Sequence, residues 1–244
     1  MFKAKLRAAI IHGTITAFIG VLTGVAVFYI WYPGAFSEMS HGTELFLLVL
    51  LVEMFLGPVI SLIIFNPGKL PSELIRDYCI VGLVQFAALF YGMYSVFISR
   101  PVYMVFVKDR IEVVSAVELS DSDLEVAAPK FKSLPKLGPR TICVEFPANA
   151  EEKSDLLLSS LNGRDIQLIP KYYRECFKGE IASNTYTRED FVSFETLGES
   201  FVPNAVRNDD FTWLPVVTRF GAWLVIFPGG DVSNHVYVNE DPFS

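Results

Sequence analysis

The stretch LFLLVLLVEMFLGPVISLIIF, residues 45–65, decides the fold. It holds one charged group, Glu53, in 21 residues. As a helix it reaches about 30 Å, the thickness of a bilayer's hydrocarbon core. A buried helix of a water-soluble protein would carry a polar stripe, and this stretch has none. It reads as a membrane span.

Two further segments read the same way. From Ala8 to Ser37, and again from Cys79 to Ser99, there is no Asp, Glu, Lys or Arg. Lys3, Lys5 and Arg7 precede the first segment, as they would in a secretory signal. A signal's apolar region is only about 7–15 residues long, and no small-x-small cleavage site follows here. The first segment therefore reads as a retained span. Outside these segments the composition changes. Residues 1–99 hold five Lys and Arg against five Asp and Glu, while residues 100–244 hold 15 against 22. The whole net charge of −7 thus belongs to the C-terminal part, and the positive mean hydropathy of +0.39 to the N-terminal part. This balance excludes a disordered chain, a disulfide-dense small fold and a basic nucleic-acid binder. The expected architecture is a membrane protein with three transmembrane α-helices (1–99) followed by an extracytoplasmic α+β domain (100–244).

Orientation follows from the flanking cations. Lys3, Lys5 and Arg7 precede the first span, Lys69 and Arg76 separate the second and third, and Pro33–Glu44 carries neither Lys nor Arg. Cytoplasmic flanks collect Lys and Arg, so the N-terminus is expected inside and residues 100–244 outside. In a bacterium that places the last domain in the periplasm and the spans in the inner membrane. Trp31-Tyr32-Pro33 fits an aromatic anchor at the outer interface.

Within the spans, small residues form a stripe on the first helix: Gly13, Thr16, Gly20, Thr23 and Gly24. Gly82, Gln85, Leu89 and Gly92 form a comparable face on the third. Such faces let helix backbones approach closely, either within the bundle or against a partner's helix. Glu53 lies about 18 Å from the inner end of its helix, a depth at which an ionisable group is paired, protonated or functional. The same depth on the third helix falls near Tyr91, with Gln85 about 9 Å shallower, so Tyr91 or Thr23 rather than Gln85 is the expected partner of Glu53. Gly57-Pro58 is expected to bend the second helix.

In the outer part, residues 102–107, 111–117, 141–146, 222–227 and 235–238 read as strands, and Lys108-Asp109-Arg110 as a turn or bulge. Helical periodicity covers 150–161 and, more weakly, 118–126; residues 127–140, with Pro129, Pro135 and Pro139, read as an extended loop. Cys143 and Cys176 are candidates for a disulfide in an oxidising space, the alternative being that Cys143 is simply a core position. Catalytic signatures are missing: no GxSxG, Walker loop or GxGxxG occurs. His12, His41 and His235 are scattered, and Asp209-Asp210 and Asp121-x-Asp123 lack calcium-loop spacing. The chain reads as a non-enzyme with no cofactor and no metal.

Trp31-Tyr32-Pro33, Glu53-x-x-x-Gly57-Pro58 and Phe65-Asn66-Pro67-Gly68-Lys69 resemble the type IV pilin accessory proteins of the TfpX/TfpZ kind. So does the block from Gln85 to Tyr94 followed by Arg100-Pro101-Val102-Tyr103 and Asp109-Arg110. The resemblance covers about residues 1–115 and is looser beyond, where Leu214-Pro215-Val216 carries it. It implies an inner-membrane factor that binds the major pilin and assists its assembly into the pilus. Other assembly-platform proteins and membrane lipids are further expected partners, and nucleic acid is not. On this reading Glu53, Gly20, Gly24, Gln85, Tyr91, Arg100 and Tyr103 are the candidate partner-binding residues. An acidic residue near the start of such pilin helices would repel Glu53 unless one group is protonated, and contact with the pilin's N-terminal amine is the alternative. A membrane-anchored sensor or regulator is the rival function, though its short cytoplasmic segments leave little output surface.

Overall fold

Long runs of Leu, Ile, Val and Phe, uninterrupted by charge, leave the backbone no better option in an apolar medium than to satisfy its own hydrogen bonds as helix. In the computed structural model three such helices form, long and apolar enough to cross a membrane: Phe2–Trp31, Gly42–Ile64 and Pro71–Ile98. The structure describes residues 2–193 and 210–243. The chain divides into two compact units, Met1–Ser99 and Arg100–Ser244.

In the first unit, α1 (Phe2–Ala26) runs on through a π-helical turn, Val27–Trp31. A one-turn helix α2 (Phe36–Met39) precedes α3 (Gly42–Ile64), and α4 (Pro71–Ile98) completes the unit. Pro71 opens α4 where its missing N–H costs nothing, and the Glu73 carboxylate accepts from the Leu70 N–H at 3.1 Å. α3 continues through Pro58 as one helix. Tyr32 is fully buried, and its hydroxyl donates to the Val96 carbonyl at 2.9 Å, so it ties α1's end to α4. Beside it Trp31 packs edge-on against Phe97, and Tyr29 is the exposed aromatic.

The second unit is a mixed sheet with short helices. β1 (Pro101–Val107) and β2 (Arg110–Ser115) form a hairpin, with Lys108 in the left-handed region at φ 56° making the turn. α5 (Asp121–Glu125) is shorter than the weak periodicity over 118–126 suggests, because Ser120 caps it and a 3₁₀ turn takes up Ala116–Glu118. β3 (Arg140–Val144) lies parallel to β1. α6 (Ala150–Leu161) starts where Asn149 Oδ1 accepts from the Glu152 N–H at 2.7 Å. β4 (Tyr173–Arg174), β5 (Tyr186–Thr187) and α7 (Arg188–Ser193) precede β6 (Phe211–Thr218), β7 (Gly221–Pro228) and β8 (Val236–Val238). The strand order is β4-β3-β1-β2-β6-β7-β8, with β5 also pairing β6. Asp209, of the expected Asp209-Asp210 turn, lies outside the described residues.

β6 is not among the strands expected from the sequence, and Pro215 sits at its centre. Register explains how the strand tolerates it. On the side away from β7, β6 pairs β5 at Thr212 and Trp213 and β2 at Val216 and Val217. Pro215 falls at the changeover, where a missing N–H interrupts neither pairing. The loop over 127–140 is extended apart from one 3₁₀ turn, Pro129–Phe131, whose Phe131 ring enters the core against Tyr103 and Tyr173. Cys143 and Cys176 are joined as a disulfide, binding β3 to the segment after β4. Glu180 lies beside them, but the two sulfurs are bonded to each other and leave no thiolate for a metal.

Candidate functional site

Glycines set the register of the membrane helices. A Cβ on Gly13 would meet Pro58, one on Gly20 would stand 2.5 Å from Leu50 Cδ1, and one on Gly24 would meet the Phe46 ring. As the α1 number rises the α3 number falls, so the two helices lie antiparallel along the small-residue stripe. Much of that stripe is used inside the bundle: Gly20 and Gly24 are buried against α3. Likewise Gly92 of α4 admits Val49, and Gly57 of α3 leaves room for the side chains of His12 and Gln85.

At Gly57, polar groups of three helices meet. His12 Nδ1 and Ser61 Oγ share a hydrogen bond of 2.6 Å between α1 and α3. Gln85 Nε2 would stand 2.7 Å and His12 Nε2 3.0 Å from a Cβ at Gly57. Glu53, Gly57 and Ser61 recur every fourth residue, so they lie one above another on one face of α3. Ser61 is legible from this four-residue spacing beyond Glu53, whereas His12, on α1, is found only through its hydrogen bond to Ser61.

Glu53 faces into the bundle, 7% exposed. With His12, Thr16, Gly20 and Thr23 of α1 and Gly82, Gln85 and Leu89 of α4, it lines a cavity of about 240 Å³. A second cavity, lined by Ala8, Phe65 and Tyr78, shares His12, Ile15, Gly82 and Gln85 with the first. On α3's other flank Glu53 also borders a space lined by Tyr91 and Ser95. Thr23 has turned its hydroxyl to its own helix, donating to the Ile19 and Gly20 carbonyls. Tyr91 is largely exposed.

The preference for Tyr91 over Gln85 came from counting depth from Cys79, whereas α4 begins at Pro71. The observed register, Gly57 at Gln85 and Val49 at Gly92, puts Glu53 midway between the two levels.

Arg100 and Tyr103 were expected to touch a partner and instead belong to the second unit's interior. Arg100 is buried, with Nη2 donating to the Pro135 carbonyl at 3.0 Å, which pins the proline-rich loop. Tyr103 is fully buried, edge-on to Tyr173 at 5.3 Å, and burial pushes its phenol pKa up.

Residues 1–41 match the family model described as fimbrial assembly protein FimB. The chain is 28% identical to the fimbrial assembly protein of serogroup I of Dichelobacter nodosus over 236 residues, 93% of this chain and 91% of that one. It is 29% identical to the serogroup E1 protein over the same shares. Against the fimbrial assembly protein of serogroups C1 and C2, identity is 30% over 127 residues, 52% of this chain and 95% of the relative. Similarity thus runs well past residue 115, where the sequence resemblance weakened. No solved structure matches. With three apolar helices able to span a membrane and a mixed-sheet unit following them, the chain belongs to the fimbrial assembly protein family.

Proposed function

We infer that the protein is a membrane-anchored assembly factor for fimbriae that works by binding and without turnover. It holds the major pilin in the inner membrane before the subunit enters the pilus. The near full-length similarity to fimbrial assembly proteins carries this reading. The layout supports it, because an unassembled pilin with one membrane helix and a folded outer head offers one part to each unit. Inward placement of Lys3, Lys5, Arg7, Lys69 and Arg76 supports a cytoplasmic N-terminus, and the Cys143–Cys176 bond supports a periplasmic second unit. The test is deletion of the gene followed by capture of the pilin on the tagged, detergent-extracted full chain. Loss of surface fibres together with pilin co-purification is expected. Normal fibres and no co-purified pilin would overturn the reading.

A further inference from the structure

The membrane unit is an open arrangement. α1 and α4 each pack along α3 and scarcely on each other, leaving a groove with α3 as its floor. The two cavities that share His12, Ile15, Gly82 and Gln85 are parts of this groove. It follows α1 from Ala8 to Thr23, about 22 Å at helical rise. Its walls are apolar and unfilled: Ile15 and Phe86 are exposed, and nothing lies within 4 Å of a Cβ position on Gly82.

At the floor of the groove stands a carboxylate with no counter-charge. Among the described residues, no hydrogen bond or ion pair reaches Glu53. The unit's Lys and Arg residues are Lys3, Lys5, Arg7, Lys69 and Arg76, all at the opposite end of the helices from α1's outer turn. Lys69 is engaged by Asp77 at 2.6 Å. His12 has Nδ1 on Ser61, a full two turns of α3 from Glu53. A carboxylate in a low-dielectric slot strongly favours a cation brought within hydrogen-bond reach.

We propose that the α1–α4 groove receives one transmembrane helix of another protein, and that Glu53 pairs with a single basic group on that helix. The basic group is a Lys, an Arg or a free N-terminal amine placed at Glu53's depth. A second copy of this chain does not fit, since its helices carry no cation at that depth. Neither does a phospholipid, whose amine stays at the headgroup level. Taking the helix to be the pilin's rests on the proposed function above; the groove and its charge preference do not.

The test places a photo-crosslinking residue at Ile15, at Gly82, at Phe55 as a control facing away, or at the exposed Leu161 of the second unit, in the full chain, in cells making the pilin. Pilin adducts from Ile15 and Gly82 but not Phe55 are expected, falling about tenfold or more in Glu53→Gln. The isolated Glu53→Gln protein should be at least as heat-stable in detergent as the parent, since the change removes an uncountered charge. A structural glutamate would show the opposite, and a less stable variant would overturn the proposal. Restored capture when Glu53→Lys meets a pilin whose basic group is made Glu would establish the pair. Adducts unaffected by Glu53→Gln, or adducts to lipid or to a second copy, would overturn it. Pilin captured from the second unit but never from the groove would overturn the groove and leave the proposed function standing. No pilin from either unit and no other membrane protein from Ile15 or Gly82 would overturn both.

Discussion

Gly42 shows how one missing methyl can decide a helix junction. A Cβ there would fall inside van der Waals contact of three Tyr32 ring carbons. That ring cannot swing aside while its hydroxyl holds the Val96 carbonyl. Ala in a helix gains up to about 1 kcal/mol over Gly. Overpacking against a fixed ring costs about 1–3 kcal/mol, so Gly42→Ala should destabilise the membrane unit. Tyr32→Phe should cost about 1 kcal/mol through the lost hydrogen bond, and the double variant should cost less than the sum of the two. Detergent thermal unfolding reads all three. At Glu180 the two-pronged contact from Arg174, at 2.8 and 2.5 Å, holds the carboxyl below its ordinary range, partial burial opposing and the Phe177 N–H assisting. A lowered folded-state pKa means the native protein gives up this proton more readily than the unfolded chain. The stabilisation is therefore complete above the ordinary value of about 4.3 and fades as pH falls through the folded value. The stability difference between the parent and Glu180→Gln, from urea unfolding of the full chain in detergent, should shrink between about pH 6 and about pH 3.

Among the elements, those whose signal is local were legible. α6 has an asparagine cap and an amphipathic run, and the β1–β2 hairpin has runs rich in Val, Ile and aromatic residues on either side of Lys108-Asp109. β6 was not, because Pro215 is acceptable only where β5 hands over to β2, and that handover depends on residues far away in sequence. The functional face divided the same way. Glu53 was found from one charge in an apolar run. Its true level on α4 was hidden, because the register depends on which glycine meets which side chain across the interface. For the second unit, the Cys143–Cys176 bond closes a loop with a separation of 33 residues. A chain-entropy estimate gives it about 3–4 kcal/mol. Cys143→Ser with Cys176→Ser should lower the unit's denaturation midpoint accordingly, and the parent chain should migrate faster on a non-reducing gel than on a reducing one.

For the whole molecule, charge placement was the most informative property of the sequence. The neutral part became three spanning-length helices, and the acidic part became a separately folded sheet unit. What composition could not supply is the buried standing of Arg100 and Tyr103. Both are candidate contacts through the family resemblance alone, and their burial shows only once the Phe131 and Tyr173 rings and the Pro135 carbonyl are placed around them. Orientation gives the prediction at this scale. A thiol reagent unable to cross the membrane should label a cysteine introduced at Leu161 and fail to label Lys69→Cys in intact spheroplasts; the reverse pattern would invert the proposed topology.

The central position of α3 has a consequence for biogenesis. Because α1 meets α3 through Gly13, Gly20 and Gly24 without help from α4, the first two spans carry a complete interface of their own. That hairpin can close in the bilayer while the third span is still being synthesised, and α4 then joins a preformed surface. A fragment of residues 1–70 should therefore insert and resist protease as a hairpin. A fragment beginning at residue 71 has no α3 on which to lay Gly92, and should be degraded as an orphan helix.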